Sequence, residues 1–512
     1  MKSVQSLWLM LKFVYLWMRT SLLYYAHFFR CRSGLHELNR LIAGFICSGL
    51  LCFSFNSAVA GGTNGWFEQL KATGDKVAIY QVLMAMPKGG DLHSHDSGSV
   101  FSEWWYELAL DQERNGYRYY TKTEINNCRE YGGDEFAAPY LMYFRTIQES
   151  NWQALGECEQ AEYKTLADLD PIEKKAWLNS IRLDKEYEGR DEFFQRHWQR
   201  LGDLPANPYL AMEALVRNIK AFSKEGVIYM EPDVNVFGSI RADGSRFSPD
   251  EVAEIIRDRL AAGDVIETGM TIRLQLAILR FLPGATEHLK IIYRFVAENN
   301  DLWVAVDLVG REDNGKGYPK RFLETMRDLR RQHHGVRLSI HGGEVDEPNQ
   351  HVRDTLILGA ERIGHGVNLI SDPDLMLLMR GGPYLVEINL VSNLMLGYVD
   401  DFSEHPFPEY LRLGIPVALS TDDRGMWDSV MTDEFFVAVQ EFNLSWDEIK
   451  ILSRNSLKYS FAPEDVKRDL LKTYEKRISA FEKKMSRGGI KEIRKNNLQC
   501  RGFLRKQYQL CE

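Results

Sequence analysis

Internal repeats, low-complexity runs and C-x-x-C pairs are all missing from this 512-residue chain. The first absence excludes repeat architectures. With 39 Gly and 16 Pro against 45% hydrophobic and 26% charged residues, collagen-like and disordered classes are excluded as well. Without a C-x-x-C pair a thiolate zinc site is not expected. A broad positive field is also lacking. The formal net charge is −9, and setting aside residues 1–60 leaves 57 basic against 71 acidic side chains, so the counterion release that drives nucleic-acid binding is not available. The one basic stretch, Glu464 to Glu512, carries 14 Lys/Arg against 7 Asp/Glu and reads as a solvated helical tail.

The N-terminus has a different character. Leu41 to Phe55 is apolar, is preceded by Arg30, Arg32 and Arg40, and is followed by Ser57-Ala58-Val59-Ala60-Gly61. A basic flank, a short apolar run and an A-x-A ending are the parts of a secretory signal, and the run is short for a spanning helix. Residues 1–60 are therefore expected to be a signal peptide cut after Ala60, which implies a periplasmic or secreted protein. The alternative is a membrane anchor built with the second apolar stretch, Leu7 to Phe29, and only an uncleaved segment would bring a membrane partner. Three of the seven cysteines lie in this region; the other four fall into two local pairs, Cys128 with Cys158 and Cys500 with Cys511, which suits an oxidising compartment.

From Gly226 onward, short apolar β-branched runs alternate with amphipathic stretches, the pattern of repeated βα units on a parallel sheet. Strands are expected at 227–233, 271–279, 302–310, 336–342, 362–367, 385–391 and 417–422, with helices such as 321–333 and 354–360 between them. Adding Asp91–His95 makes eight, the number a closed (β/α)8 TIM barrel requires. The fold class is thus α/β, with residues 61–512 as a single barrel domain. About 130 residues separate the first two strands, more than a normal connection. They predict helices and an inserted subdomain near 110–165, whose Trp and Tyr residues read as a small core or a homodimer contact rather than a carbohydrate site. Beyond Asp423 the chain is expected to be helical, with an extension at 464–512.

Four short runs carry chemistry. His93-Ser94-His95 places two imidazoles on one side of a strand, although a lone H-x-H is a weak signal. Ser339-Ile340-His341-Gly342-Gly343-Glu344 ends an apolar strand in a histidine, with glycines for an abrupt turn and then a carboxylate. Arg362-Ile363-Gly364-His365-Gly366 repeats the strand-to-histidine ending, and Leu419-Ser420-Thr421-Asp422-Asp423 ends a strand in two acids. Taken singly, each is a polar strand cap. Taken together, they fall at the same ends of strands one, five, six and eight, the barrel face that carries active sites. Three His and an Asp form an N/O donor set suited to one Zn2+ per chain. Zinc lowers the pKa of water and so makes a nucleophile, which gives hydrolytic attack on an electrophilic carbon.

In this order, Met86-Pro87-Lys88-Gly89-Gly90-Asp91-Leu92-His93-Ser94-His95, H-G-G-E, R-I-G-H-G and S-T-D-D resemble the adenosine deaminase family, over about residues 84–460. Asp96 directly after His95 and the run Asp307 to Asp313 look more like its secreted growth-factor branch. The resemblance implies zinc ligands His93, His95, His341 and Asp422, with Glu344 protonating purine N1 and His365 acting on the attacking water. It implies that Asp423 fixes the water and N7, that the Gly310 N–H meets N3, and that Asp96 holds the ribose 5′-hydroxyl. The activity implied is deamination of adenosine or 2′-deoxyadenosine, a small-molecule purine nucleoside, to the inosine form and ammonia. The family pattern is departed from at Ser97, Pro232-Asp233, Gly342 and Arg424-Gly425. These departures open the alternative of another adenine compound: a modified nucleoside, free adenine or a nucleotide. A further alternative is an extracellular nucleoside-binding, growth-factor-like protein. Glu387, Ser392-Asn393 and His405-Pro406 resemble family runs and could support the site, whereas His197, His288, His333, His334 and His351 read as surface residues.

Overall fold

In an all-parallel barrel the strands are covered on both faces, so their sequences run apolar throughout. Trp303–Val309 shows this most fully, every residue being buried. The computed structural model describes residues 65–126, 128, 145–346, 349–493 and 500–511. The N-terminal segment 1–60 and the centre of the insertion lie outside the described residues.

The strands, in chain order, are β1 (Gly90–Asp91), β2 (Tyr119–Lys122), β3 (Ile147–Gln148), β4 (Tyr163–Thr165), β5 (Tyr229–Met230), β6 (Thr271–Ile272), β7 (Leu274–Leu279), β8 (Trp303–Val309), β9 (Arg337–Gly342), β10 (Arg362–His365), β11 (Leu385–Ile388) and β12 (Val417–Leu419). One parallel sheet runs β1-β5-β6 and another β7-β8-β9-β10-β11-β12. Parallel bridges join them: Asp233 pairs with Gln275, and Ser94 with Asp422. The second bridge brings the last strand back to the first, closing the expected (β/α)8 barrel.

The third barrel strand departs from the continuous 271–279 run because its partners change at Arg273. The Arg273 N–H bonds back to Met230 O at 3.0 Å, while the Leu274 N–H bonds forward to Leu302 O at 2.8 Å. Outer helices begin where the sequence offers caps. Asn207 accepts from the first turn of Pro208–Lys224, and Ser248 forms a capping box at Pro249–Leu260.

In the insertion, β2 lies between β3 and β4 as a small antiparallel sheet. Lys122 and Glu162 form a buried ion pair at 2.6 Å beside it. The cysteines pair as the sequence suggested, Cys128 with Cys158 and Cys500 with Cys511. Beyond Asp423 the described chain is helical, and Glu464–Lys484 buries one stripe, Leu470, Tyr474 and Ile478, under an otherwise solvated face. No helix among the described residues is long and apolar enough to cross a membrane.

Candidate active site

All barrel strands point the same way, so the polar residues that end them gather at one mouth. Two of these residues, His365 and Asp422, have φ of 65° and 53°. Left-handed backbone of this kind is costly for non-glycine residues and concentrates at functional sites.

The imidazole rings of His93 and His341 lie 4.4 Å apart, those of His95 and His341 5.2 Å, and those of His93 and His365 4.8 Å. Asp422 Oδ1 stands 3.5 Å from His93 Nε2 and 3.3 Å from His95 Nε2. Two overlapping groups result. Donor atoms of His93, His341, His365 and Asp422 fall within 4.8 Å of one another, as do those of His95, Asp422 and Asp423. The expected ligand set His93, His95, His341 and Asp422 is thus brought together around Asp422, and His365 enters the first group besides.

The second ring nitrogens separate these histidines. Nδ1 of His93 is 2.9 Å from Glu387, that of His95 is 3.1 Å from Asp233, and that of His341 is 2.9 Å from Asp307. A carboxylate at Nδ1 keeps the proton there and leaves the Nε2 lone pair for a metal. His365 instead has the Asn389 and Asn393 amides at Nδ1. Nε2 of His93 is buried with no hydrogen-bond partner. Such an uncompensated atom, together with the acids around it, fits a bound cation. The chemistry of the donor set, imidazole nitrogen with one carboxylate, fits zinc.

Two adjacent buried acids cannot ionise equally. Burial opposes charge on Asp422, but the His93 and His95 imidazoles beside it outweigh that and hold this carboxyl well below its ordinary range. Asp423 is pushed well above by burial and by Asp422 beside it. Burial, with Asp422 and Glu312 nearby, raises Glu344 well above its usual value. Glu344 lies 3.8 Å from His365 Nε2.

These groups face a cavity of about 810 Å³, lined also by Asp96, Asp233 and Gly310. That volume suits a small organic ligand. Asp96 accepts from Ser97 N–H at 2.6 Å, and burial lifts its carboxyl to about 6. Gly310, at φ 96°, leaves no room for a side chain, since a Cβ would stand 2.8 Å from the Phe281 ring.

Arg424, one of the departures, does not line this cavity. It is fully buried against Asn218, Glu225 and the face of Phe222, which takes its charge away from the mouth.

Several supporting residues escaped the sequence reading. Asp233 and Asp307 hold His95 and His341, and a lone acid inside a fully apolar strand was the signal for Asp307. Phe193, Phe194 and Trp198, in and beside a π-helical turn, wall the cavity, and nothing local marks them. Two residues read as surface are not. His197 is 1% exposed and packs on Ser180 O and Glu188. His351 lies 2.5 Å from the buried Glu312, which also receives the N–H groups of Gly343 and Glu344.

A family model described as Adenosine deaminase matches residues 192–477. An adenosine deaminase of Xenopus laevis is 29% identical over 272 residues, 49% of this chain and 72% of that protein. An N6-methyl-AMP deaminase-L of the same organism is 28% identical over 256 residues, 49% of this chain and 71% of that protein. A crystal structure of an amidohydrolase from Burkholderia ambifaria, with bound Zn, superposes with a TM-score of 0.58 at 17% identity, covering 80% of this chain and 95% of the other. At that identity the likeness is one of fold.

Proposed function

The chain belongs to the adenosine deaminase family, a family of metal-dependent hydrolases, and from that premise we propose that it converts adenosine or 2′-deoxyadenosine to the inosine form and ammonia. The observation that carries this reading is the gathering of His93, His95, His341 and Asp422 beside the buried Glu344 at one cavity wall. His93, His95, His341 and Asp422 would hold one zinc ion, which when bound makes water a nucleophile near neutral pH.

The remaining chemistry falls to the chain. Glu344 gives its proton to ring N1, which weakens the C6=N1 bond and lets water oxygen add at C6. Asp423 takes the proton of that water in its ionised form. The C6–N6 bond then breaks as Asp423 passes its proton to the departing amine, ammonia leaves, and the C6 hydroxyl gives its proton to the Glu344 carboxylate as C6=O forms. Asp96 and Gly310, which line the cavity, would meet the sugar and the purine edge.

The acidity of the mouth favours a neutral nucleoside over a nucleotide. Asp96, Asp191, Asp233 and Asp313 line it against Arg311 and Lys316, and Arg311 is already paired with Asp191 and Asp313. A 5′-phosphate would meet a net negative field. The second reading, a nucleotide or modified adenine compound, draws on the N6-methyl-AMP deaminase relative. Loss of adenosine absorbance on incubation with the zinc-loaded chain tests the first reading, and a panel of adenosine, AMP, N6-methyl-AMP and adenine separates the two. Clear preference for a phosphorylated substrate would replace the nucleoside assignment.

Two disulfides support a working place outside the reducing cytoplasm. A mature N-terminus at Gly61, read by mass spectrometry, is the expected result.

A further inference from the structure

We propose that His365 is held in one tautomer, opposite to that of its three neighbouring histidines, by a hydrogen-bond chain that starts at the backbone of Phe407 and runs through His405 and Asn393. The catalytic consequence rests on the reading that His365 meets the attacking water; the tautomer itself does not.

The chain starts at a group that can only donate. The Phe407 N–H lies 3.1 Å from His405 Nδ1, so that nitrogen must offer its lone pair. His405 is 1% exposed, packed near the rings of Phe407 and Phe442, and burial lowers its pKa to about 3. It is therefore neutral, and its single ring proton sits on Nε2. That atom is 3.0 Å from Asn393 Oδ1, which must accept and so fixes which way the amide faces.

The Asn393 NH2 then points at His365 Nδ1, 3.0 Å away, and the Asn389 NH2 adds a second donor at 3.3 Å. His365 Nδ1 can only accept, and the ring proton is forced onto Nε2. This atom is buried, has no hydrogen-bond partner, and faces Glu344 across 3.8 Å. It is a donor aimed at the reacting centre.

His93, His95 and His341 are set the other way, because Glu387, Asp233 and Asp307 accept from their Nδ1. The partner at the far nitrogen, carboxylate or amide, thus sorts four clustered imidazoles into three with a donating Nδ1 and one with an accepting Nδ1. His365 lies within ligand distance of the group yet offers no lone pair to a cation. It donates a hydrogen bond to the oxygen of the attacking water and orients it, and proton removal falls to Asp423. Asn393 and His405 are positioning residues that touch neither substrate nor metal.

The test is 15N NMR of enzyme labelled at histidine, metal-free and zinc-loaded, with the His365 signals identified by their loss in His365→Gln. Wild type should show an unprotonated, pyridine-type Nδ1 and a protonated Nε2 in both forms. Asn393→Asp replaces the donor by a carboxylate of the same shape. It should move the proton to Nδ1 and lower kcat by about 10²–10³-fold with little change in KM, the penalty of a wrong tautomer. His405→Gln keeps an N–H toward Asn393 and should retain both signature and rate, whereas His405→Leu should lose both in part. A protonated Nδ1 in wild type would overturn the proposal, as would an Asn393→Asp variant with unchanged His365 signals. If wild type deaminates nothing, the function assignment fails while the nitrogen shifts still decide the tautomer.

Discussion

A Cβ on Gly364 would stand 2.7 Å from Cε1 of His93. The strand that carries His365 therefore makes room, one residue earlier, for the imidazole of another strand. Gly364→Ala is expected to push the His93 ring out of line with Asp422 and to weaken zinc binding by about 10–100-fold, as loss of ligand support commonly does. Competition against a chelating dye measures it, and wild-type affinity in the variant would contradict the crowding argument.

Glu344 is buried, which raises its carboxyl above the usual range, and it is the group assigned to N1. Glu344→Gln keeps the shape but cannot transfer a proton. A fall in kcat of about 10²–10⁴-fold is expected, with zinc content and melting temperature unchanged. A variant that turns over within about threefold of wild type would remove Glu344 from its role.

Glu312 supports Glu344 through the backbone, and its ionisation is linked to stability. Burial alone would raise this carboxyl, but Arg280 and His351 hold it at about 2. Between pH 4.5 and about 2 the unfolded chain binds a proton that the folded chain does not. Stability from this group is thus present above pH 4.5 and is lost as pH falls toward 2, on the order of 3 kcal/mol in full. Urea midpoints taken from pH 5 downward should fall less steeply in Glu312→Gln than in wild type. That variant should also be less stable at pH 7, because Arg280 is left buried without its partner. Parallel acid limbs in the two proteins would contradict the assignment.

The barrel and the site were legible for the same reason. Strands covered on both faces must be apolar, so a polar residue such as His341 or Asp422 at the end of such a run stands out against the rest. Local pattern does not reveal which distant group a side chain meets. Asp233 and Asp307 meet their histidines only through the pairing of neighbouring strands, and the His405–Asn393 contact only through the path of the loop between β11 and β12. His351 read as a surface residue, yet Glu312, 39 residues away, draws it in. The break at Arg273 was hidden because a strand that changes partners keeps its apolar run.

The central claim is that His93, His95, His341 and Asp422 share one divalent ion on which deamination depends. The direct measurement is adenosine turnover alongside metal content, in the chain as purified, after chelation, and after adding back zinc. One zinc per chain, loss of activity on chelation, and recovery with one equivalent is the result predicted, with His341→Ala neither binding zinc nor recovering. Full turnover by the chelated, metal-free protein would contradict the account.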